Sequence, residues 1–306
     1  MNVPIRVDCF ARFGNPRTCS ECPYIATSAD KVIAGRYLGA AALGIYGRAY
    51  HLMSVPADLY ARVGDRLVFP ALAACQTDRE RLRRAFLSGT SVAATLGLPM
   101  SVALMMLAPE IITFLLGENW IGVIGPLTLL AAASYFRLGA KVSGSLLRAT
   151  GSFKSLIWSQ AAYAAAMVGG CIAAAPHGVV AIAGVASAVV IGFFIVISAM
   201  ACARTSTPLG QFLAQHIHGL LLSLVTAATL GSLLFVLRDL RAPDYAILFA
   251  TAAALSAIGA GLLFWPQRWL IGATVAELVK DFRVGAVARL GRLNPIVLVR
   301  TKGTSA

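Results

Sequence analysis

Acidic side chains are scarce in this sequence. Only 13 of the 306 residues are Asp or Glu, against 26 Lys and Arg, and charged residues of both signs make up just 13% while hydrophobic ones make up 58%. Soluble domains carry about 25% charged residues, so there is too little charge here to cover the surface of a water-soluble protein of this length. Mean hydropathy is +0.77. From Ala85 to Leu237 the acids are Glu110 and Glu118 alone. An intramembrane proton or sodium relay normally uses a carboxylate, so any ion coupling would have to rest on Asp30, Asp58 or Asp65. No acidic pair stands near an inner loop to hold a metal and a sugar nucleotide, and no nucleophile stands beside a base. The chain therefore reads as a non-enzyme.

Cysteine is sparse too. Cys171 and Cys202 fall in apolar runs and read as small packing residues. Cys19 and Cys22 have the spacing of half a zinc knuckle, without a second pair to complete it. His216 and His218 are two residues apart and so lie on different helix faces, which does not suit a metal. No cofactor or metal site is legible. Residues 1–24 hold Arg6, Arg12, Arg17 and three prolines without the apolar run of a signal peptide.

What the chain has in abundance is long apolar runs. Lys154 to Arg204 are separated by no Asp, Glu, Lys or Arg, and Pro176-His177-Gly178 splits the stretch into two halves. A helix needs about 20 apolar residues to cross a hydrocarbon core of about 30 Å, so the stretch predicts a helical hairpin across a bilayer. Strands would have to close into a barrel with alternating polarity, and these runs do not alternate. The fold class is thus an all-α integral membrane protein of about eight transmembrane helices. Spans are expected near 25–38, 46–71, 90–107, 122–141, 156–175, 178–203, 217–237 and 245–264. They group into an atypical, disordered segment 1–24, a six-helix lobe 25–203, two accessory helices 204–264 and a basic tail 265–306. The stretch Ala108–Trp120 reads as an interfacial piece, with Glu110, Glu118 and Trp120 at its edges. The tail from Gln267 to about Leu293 predicts an amphipathic helix on the membrane face.

The formal net charge of +13 suits acidic lipid and inside-positive loops. No zinc finger, RNA-binding signature or DNA-reading helix accompanies it, so nucleic acid is not a partner. Alternating the spans puts fourteen basic residues on one side: Arg79, Arg81, Arg83, Arg84, Arg148, Lys154, Arg204 and seven in the tail. The opposite connections after the second span hold Arg238 and Arg241. That asymmetry places the basic side, and the C-terminus, in the cytoplasm.

Charges inside the spans are costly and usually functional. At 100° per residue, Arg48, His51, Asp58, Arg62, Asp65 and Arg66 fall on an arc about 100° wide. Arg137, Lys141 and Arg148 lie within about 40° of one another on the fourth span, with Ser134 and Ser145 flanking them. Guanidinium and ammonium groups aligned along one side suit a phosphate, through charge-assisted and often bidentate hydrogen bonds. Arg48, Arg62, Arg66, Arg137, Lys141 and Arg148 are accordingly the candidate substrate-binding residues. Snorkelling of the same side chains to the cytoplasmic interface is the competing reading. Gly35, Gly39, Gly44, Gly47, Gly169 and Gly170 are expected to permit close helix packing.

Several strings carry a resemblance. They are Ala29-Asp30-Lys31-Val32-Ile33-Ala34-Gly35-Arg36-Tyr37-Leu38-Gly39, Ala42-Leu43-Gly44-Ile45-Tyr46, Arg48-Ala49-Tyr50, Phe69-Pro70-Ala71-Leu72 and Leu116-Gly117-Glu118-Asn119-Trp120. The chain resembles, over roughly residues 25–200, the polysaccharide-exporting flippases of the multidrug/oligosaccharidyl-lipid/polysaccharide exporter superfamily, in their O-antigen and exopolysaccharide branch. Residues 1–24 show no such likeness. The resemblance implies a transporter in the bacterial inner membrane. Its cargo, carried from inner to outer leaflet during exopolysaccharide or lipopolysaccharide biosynthesis, would be a polyprenyl-diphosphate-linked oligosaccharide. It also implies two six-helix lobes around a cationic cavity. The matching block resembles the start of the second lobe, so the expectation is a truncated half-transporter, partnered by membrane lipid, the lipid-linked oligosaccharide and either a first-lobe polypeptide or a second copy. The alternatives are a drug or small-solute antiporter of the same superfamily, disfavoured by the scarcity of carboxylates, and a membrane fragment that binds partners without transporting.

The charge asymmetry makes a direct prediction. A reporter fused to the C-terminus should show cytoplasmic activity, and periplasmic activity would overturn the orientation.

Overall fold

A computed structural model describes residues 30–55, 58, 79–240 and 243–264, with 259–264 as backbone alone. The described residues form helices and no strand. Helix α1 covers 30–55; then come α2 (Arg79–Met106), α3 (Ala108–Leu116), a 3-10 turn at Glu118–Val123, α4 (Ile124–Ala132), α5 (Ser134–Ala149), α6 (Phe153–Ala174), α7 (Val179–Thr205), α8 (Leu209–Asp239) and α9 (Asp244–Phe264). Five helical stretches are long and apolar enough to cross a membrane: Arg79–Met106, Glu118–Ala149, Phe153–His177, Val179–Thr205 and Leu209–Asp239. A shorter apolar stretch is Asp244–Ile258. The expectation of an all-α membrane protein holds. These helices outrun the expected spans because their ends carry Arg79–Arg84, Arg148 and Arg204 past the apolar run. Most of 46–71, and the whole of the tail, lie outside the described residues.

Helix α1 folds back on itself. Gly39 takes a φ of 87°, open to glycine because it lacks a Cβ. On a straight helix Asp30 and Tyr46, 16 residues apart, would stand about 24 Å from each other; instead the Tyr46 hydroxyl donates to Asp30 Oδ2 at 2.7 Å. Likewise the Lys31 ammonium lies 3.8 Å from the centroid of the Tyr50 ring. Gly39 is therefore the turn between two antiparallel arms, which is where the first and second expected spans meet.

Two apolar cores are stacked between the ends of the bundle. One joins Ile33, Tyr46 and Met53 of α1 to Ala108, Ile112, Val123, Leu127, Cys171, Ala175 and Ile182. The other joins Leu82 and Phe86 to Leu146, Leu147, Ile197, Cys202 and Phe212. The helix ends bearing Arg79, Arg81, Arg83, Arg84, Arg148, Lys154 and Arg204 therefore all gather beside the second core. Those seven basic residues share one end, while Arg238 stands at the other with Glu110.

Lipid tails are as apolar as leucine, so helices in a membrane associate through close packing and polar contacts. Both are visible here. Helix α8 runs parallel to α2 from Arg83–Gln211 (2.6 Å) at one end to Glu110–Arg238 at the other. Midway, a Cβ on Gly219 would stand 2.5 Å from the Ala94 carbonyl oxygen, so only glycine fits. Gly170 likewise lies close to Val185 of α7, whereas Gly39, Gly44, Gly47 and Gly169 have no neighbour within 4 Å of a Cβ among the described residues; of the glycines expected to permit packing, these four show no such contact. Serines bridge helices at Ser101–Ser134 (2.7 Å), Ser143–Ser198 (3.0 Å) and from Ser187 to the Leu129 carbonyl (2.9 Å). Where α4 gives way to α5, the Tyr135 amide donates to Ser101 Oγ at 3.0 Å, so a helix start buried in the bundle keeps its N–H bonded.

Gly219→Val should part α8 from α2 at Ala94. Overpacking of this kind costs about 1–3 kcal/mol, and a lowered melting temperature in detergent with full-length protein would register it. An unchanged melting temperature would show that α8 yields freely.

Candidate functional site

A polar knot sits inside the first core, where the two arms of α1 meet α5 and α6. Asp30 is 2% exposed and accepts hydrogen bonds from Tyr46 (2.7 Å) and from the Lys31 amide (2.9 Å). Tyr46 and Tyr50 are one turn apart on the second arm, and so share a face. From α5, Arg137 Nη1 donates to the Tyr50 hydroxyl at 2.9 Å while the guanidinium carbon lies 5.2 Å from that ring's centroid. Tyr163 on α6 packs into the same core as Tyr46. The Nε of Arg137 is buried without a hydrogen-bond partner. Two cations, one carboxylate and three phenols thus occupy one interior site.

Arg137 lies within the stretch Glu118–Ala149, and its guanidinium turns inward to the Tyr50 hydroxyl of α1. Lys141 and Arg148 differ: both are exposed, nearer the basic end, and Arg148 Nη2 donates to Ser145 at 2.9 Å. Arg48 is exposed too, with its guanidinium 5.8 Å from the Trp120 ring centroid. The structure therefore draws Arg137 into the knot and leaves Arg48, Lys141 and Arg148 on the surface. Arg62 and Arg66 lie outside the described residues. Ser134, expected beside the cationic stripe, faces α2 instead, through Ser101.

A second buried carboxylate stands at the end away from the basic residues. Glu110, in the first turn of α3, is 4% exposed, and its Oε1 accepts both Nε (2.8 Å) and Nη2 of Arg238. The pair ties α3 to α8. Beneath it, Leu107, Leu234 and Ile247 form a small core that also holds α9. His216 packs as a ring against Phe212 at 4.9 Å and against Tyr135 and Phe194.

Tyr46, Tyr50 and Tyr163 were not among the candidates read from the sequence. A signal was available. A lone Asp at Asp30 needs donors, and two tyrosines four residues apart supply one aligned face.

These features define a multi-pass helical membrane protein with a polar interior knot and surface cations. Residues 8–125 match the family described as polysaccharide biosynthesis protein. Among curated proteins, the chain is 30% identical over 127 residues to the teichuronic acid biosynthesis protein TuaB of Bacillus subtilis, covering 42% of this chain and 26% of that one. It is 33% identical over 139 residues to the lipopolysaccharide biosynthesis protein WzxC of Escherichia coli, covering 45% and 28%. With the succinoglycan biosynthesis transport protein ExoT of Rhizobium meliloti it shares 28% identity over 154 residues, covering 50% and 31%. The chain thus spans between a quarter and a third of the length of these relatives. No solved structure matches it. The resemblance to the polysaccharide-flippase family is shown by these matches. The family match begins at residue 8, inside the segment that showed no likeness by its motifs, and ends at 125 rather than near 200.

Because Glu110 is buried and Arg238 half-exposed, removing the arginine alone should hurt more than removing both charges. Arg238→Ala should destabilise the chain by about 1–3 kcal/mol, and much less in a Glu110→Gln background. Equal losses in both backgrounds would show that the ion pair contributes nothing specific.

Proposed function

We propose that this chain serves bacterial polysaccharide export by moving a lipid-linked, diphosphate-bearing oligosaccharide across the cytoplasmic membrane. The observation that carries the reading is the set of exposed cations, Arg48 on α1 and, within the apolar stretch Glu118–Ala149, Lys141 and Arg148 on α5. Lipid tails would strand such charges, whereas a diphosphate satisfies several donors at once. The similarity to proteins named for teichuronic acid biosynthesis, lipopolysaccharide biosynthesis and succinoglycan transport supports a role in polysaccharide export. Arg62 and Arg66, which lie outside the described residues, join the proposal on their spacing in the sequence alone. With the basic end facing the cytoplasm, Lys141 and Arg148 meet the diphosphate as it enters from the leaflet where it is made. Alternating access requires another half for this lobe to rock against, on the same polypeptide, on another or on a second copy.

An antiporter driven through intramembrane carboxylates is less well supported. Asp30 is engaged by Tyr46, and Glu110 by Arg238. The described stretch between Ala85 and Leu237 offers no other carboxylate within a span.

Export of polymer should be measured in a strain lacking its own flippase and supplied with a complete transporter that includes this lobe. Arg148→Ala and Lys141→Ala should each lower export about tenfold or more, the loss of one charge-assisted contact, at unchanged protein level. Arg148→Lys should be partly tolerated, since it keeps the charge and loses the planar fork. Unchanged export from both alanine variants would sink the contact assignment.

A further inference from the structure

We propose that the end of the bundle where α2, α7 and α8 meet binds an anionic phospholipid, its phosphate on the arginines there and an acyl chain along the outer face of α8. This holds whether or not the chain is a transporter, since Arg48, Lys141 and Arg148 take no part. Residues 79–84 carry four arginines and one acid, Glu80, which pairs with Arg83 at 3.5 Å. Arg79 donates from Nη2 to Ser206, in the turn between α7 and α8, and Arg83 donates to Gln211 in the first turn of α8. Arg204, in the last turn of α7, stands two residues before Ser206. A guanidinium has five N–H donors, so the bond to Ser206 holds Arg79 in place without exhausting it. Arg79, Arg84 and Arg204 are all exposed. At the edge of a bilayer an exposed guanidinium meets lipid phosphate, which it binds through charge-assisted and often bidentate hydrogen bonds.

The apolar half of the site favours a lipid over a free anion. On α8, Leu209, Leu213, Ile217, Leu220 and Leu224 are each more than half exposed and fall within about 80° around the helix axis. The stripe starts just after the turn that holds Arg79. With Val102 of α2, its Ile217, Leu220 and Leu224 line a groove of about 450 Å³. Leu220 lies nine residues beyond Gln211, about 14 Å along a helix, and half of a hydrocarbon core is about 15 Å. The groove therefore lies at the depth an acyl chain occupies when its phosphate is level with Arg79 and Arg83. A soluble phosphate gains nothing from it.

The test uses the full chain in detergent, with phosphatidylglycerol, phosphatidylcholine of the same acyl chains, or glycerol phosphate added. Phosphatidylglycerol should raise the melting temperature by about 3 °C or more, and the other two should not. Arg79→Gln/Arg204→Gln should lose that protection. Ser206→Ala, which removes the acceptor of Arg79 but no charge, should keep it. Lipid retained through purification, counted by mass spectrometry, is a readout separate from stability. Wild type should hold phosphatidylglycerol over phosphatidylcholine, and the ratio should fall about tenfold in the double arginine variant. If that variant does not accumulate, Arg84→Gln/Arg204→Gln, which leaves the bond to Ser206 intact, takes its place. Equal protection by phosphatidylcholine would reduce this end to an unselective lipid surface, and equal protection by glycerol phosphate to a site for free phosphate; either result overturns the proposal. So does a retention ratio that the arginine variants leave unchanged.

Discussion

A helix already surrounded by apolar tails gains little by burying its leucines against another helix. What remains to hold the bundle is contact distance and the hydrogen bonds that hydrocarbon does not offer. In this chain the two act together along α2. The Gly219 backbone lies against the Ala94 carbonyl, which brings α8 close enough for Arg83 to reach Gln211 and Arg238 to reach Glu110. Ser101 of the same helix bonds Ser134 and receives the Tyr135 amide, so the break between α4 and α5 is satisfied from outside its own helix. Helix α2 is thereby the element against which both the middle of the lobe and α8 are set. Many large apolar side chains remain outward, with Trp158 78% exposed; for a bilayer solvent that is the low-energy arrangement, not a defect.

The spans were legible because they depend on composition summed over some twenty residues, which one misplaced side chain does not change. Sorting of the basic residues to one end was legible for a similar reason. The glycines were not. Gly39, Gly44, Gly47 and Gly219 look alike in sequence, yet one forms a turn at positive φ, two face open space and one meets a carbonyl. What distinguishes them is the neighbour, and a neighbour some 125 positions away leaves no periodic mark. The fate of Glu110 was hidden likewise. Its segment is amphipathic enough to lie at the interface, and only the arrival of Arg238 from α8 allows its carboxylate to be buried.

The candidate site shows the same limit from the other direction. Helical arithmetic correctly aligned Arg137, Lys141 and Arg148, because 4 and 11 residues are close to whole numbers of turns. An angle about the helix axis says nothing about depth along it, nor about which way a side chain of six or seven bonds will bend. Depth separates Lys141 and Arg148, near the basic end, from Arg137, near the middle. Bend separates them again, since a guanidinium in the interior seeks an acceptor and Tyr50 provides one. One stripe therefore holds two kinds of cation. One of them has its partner inside the bundle, at Tyr50, and the others are exposed among the described residues.

That partition bears on how such a lobe could bind an anionic cargo and still release it. In the transport proposed above, the attraction for a diphosphate would come from the exposed Arg48, Lys141 and Arg148. They are strung along helices and not gathered in one pocket, with Arg48 near Trp120 and Arg148 anchored on Ser145 at the basic end. A spread of single contacts holds an anion less tightly at each point than one closed cage, and passage requires binding weak enough at every step to be undone. Arg137, bonded to Tyr50, would hold α1 against α5 while those cations meet the cargo.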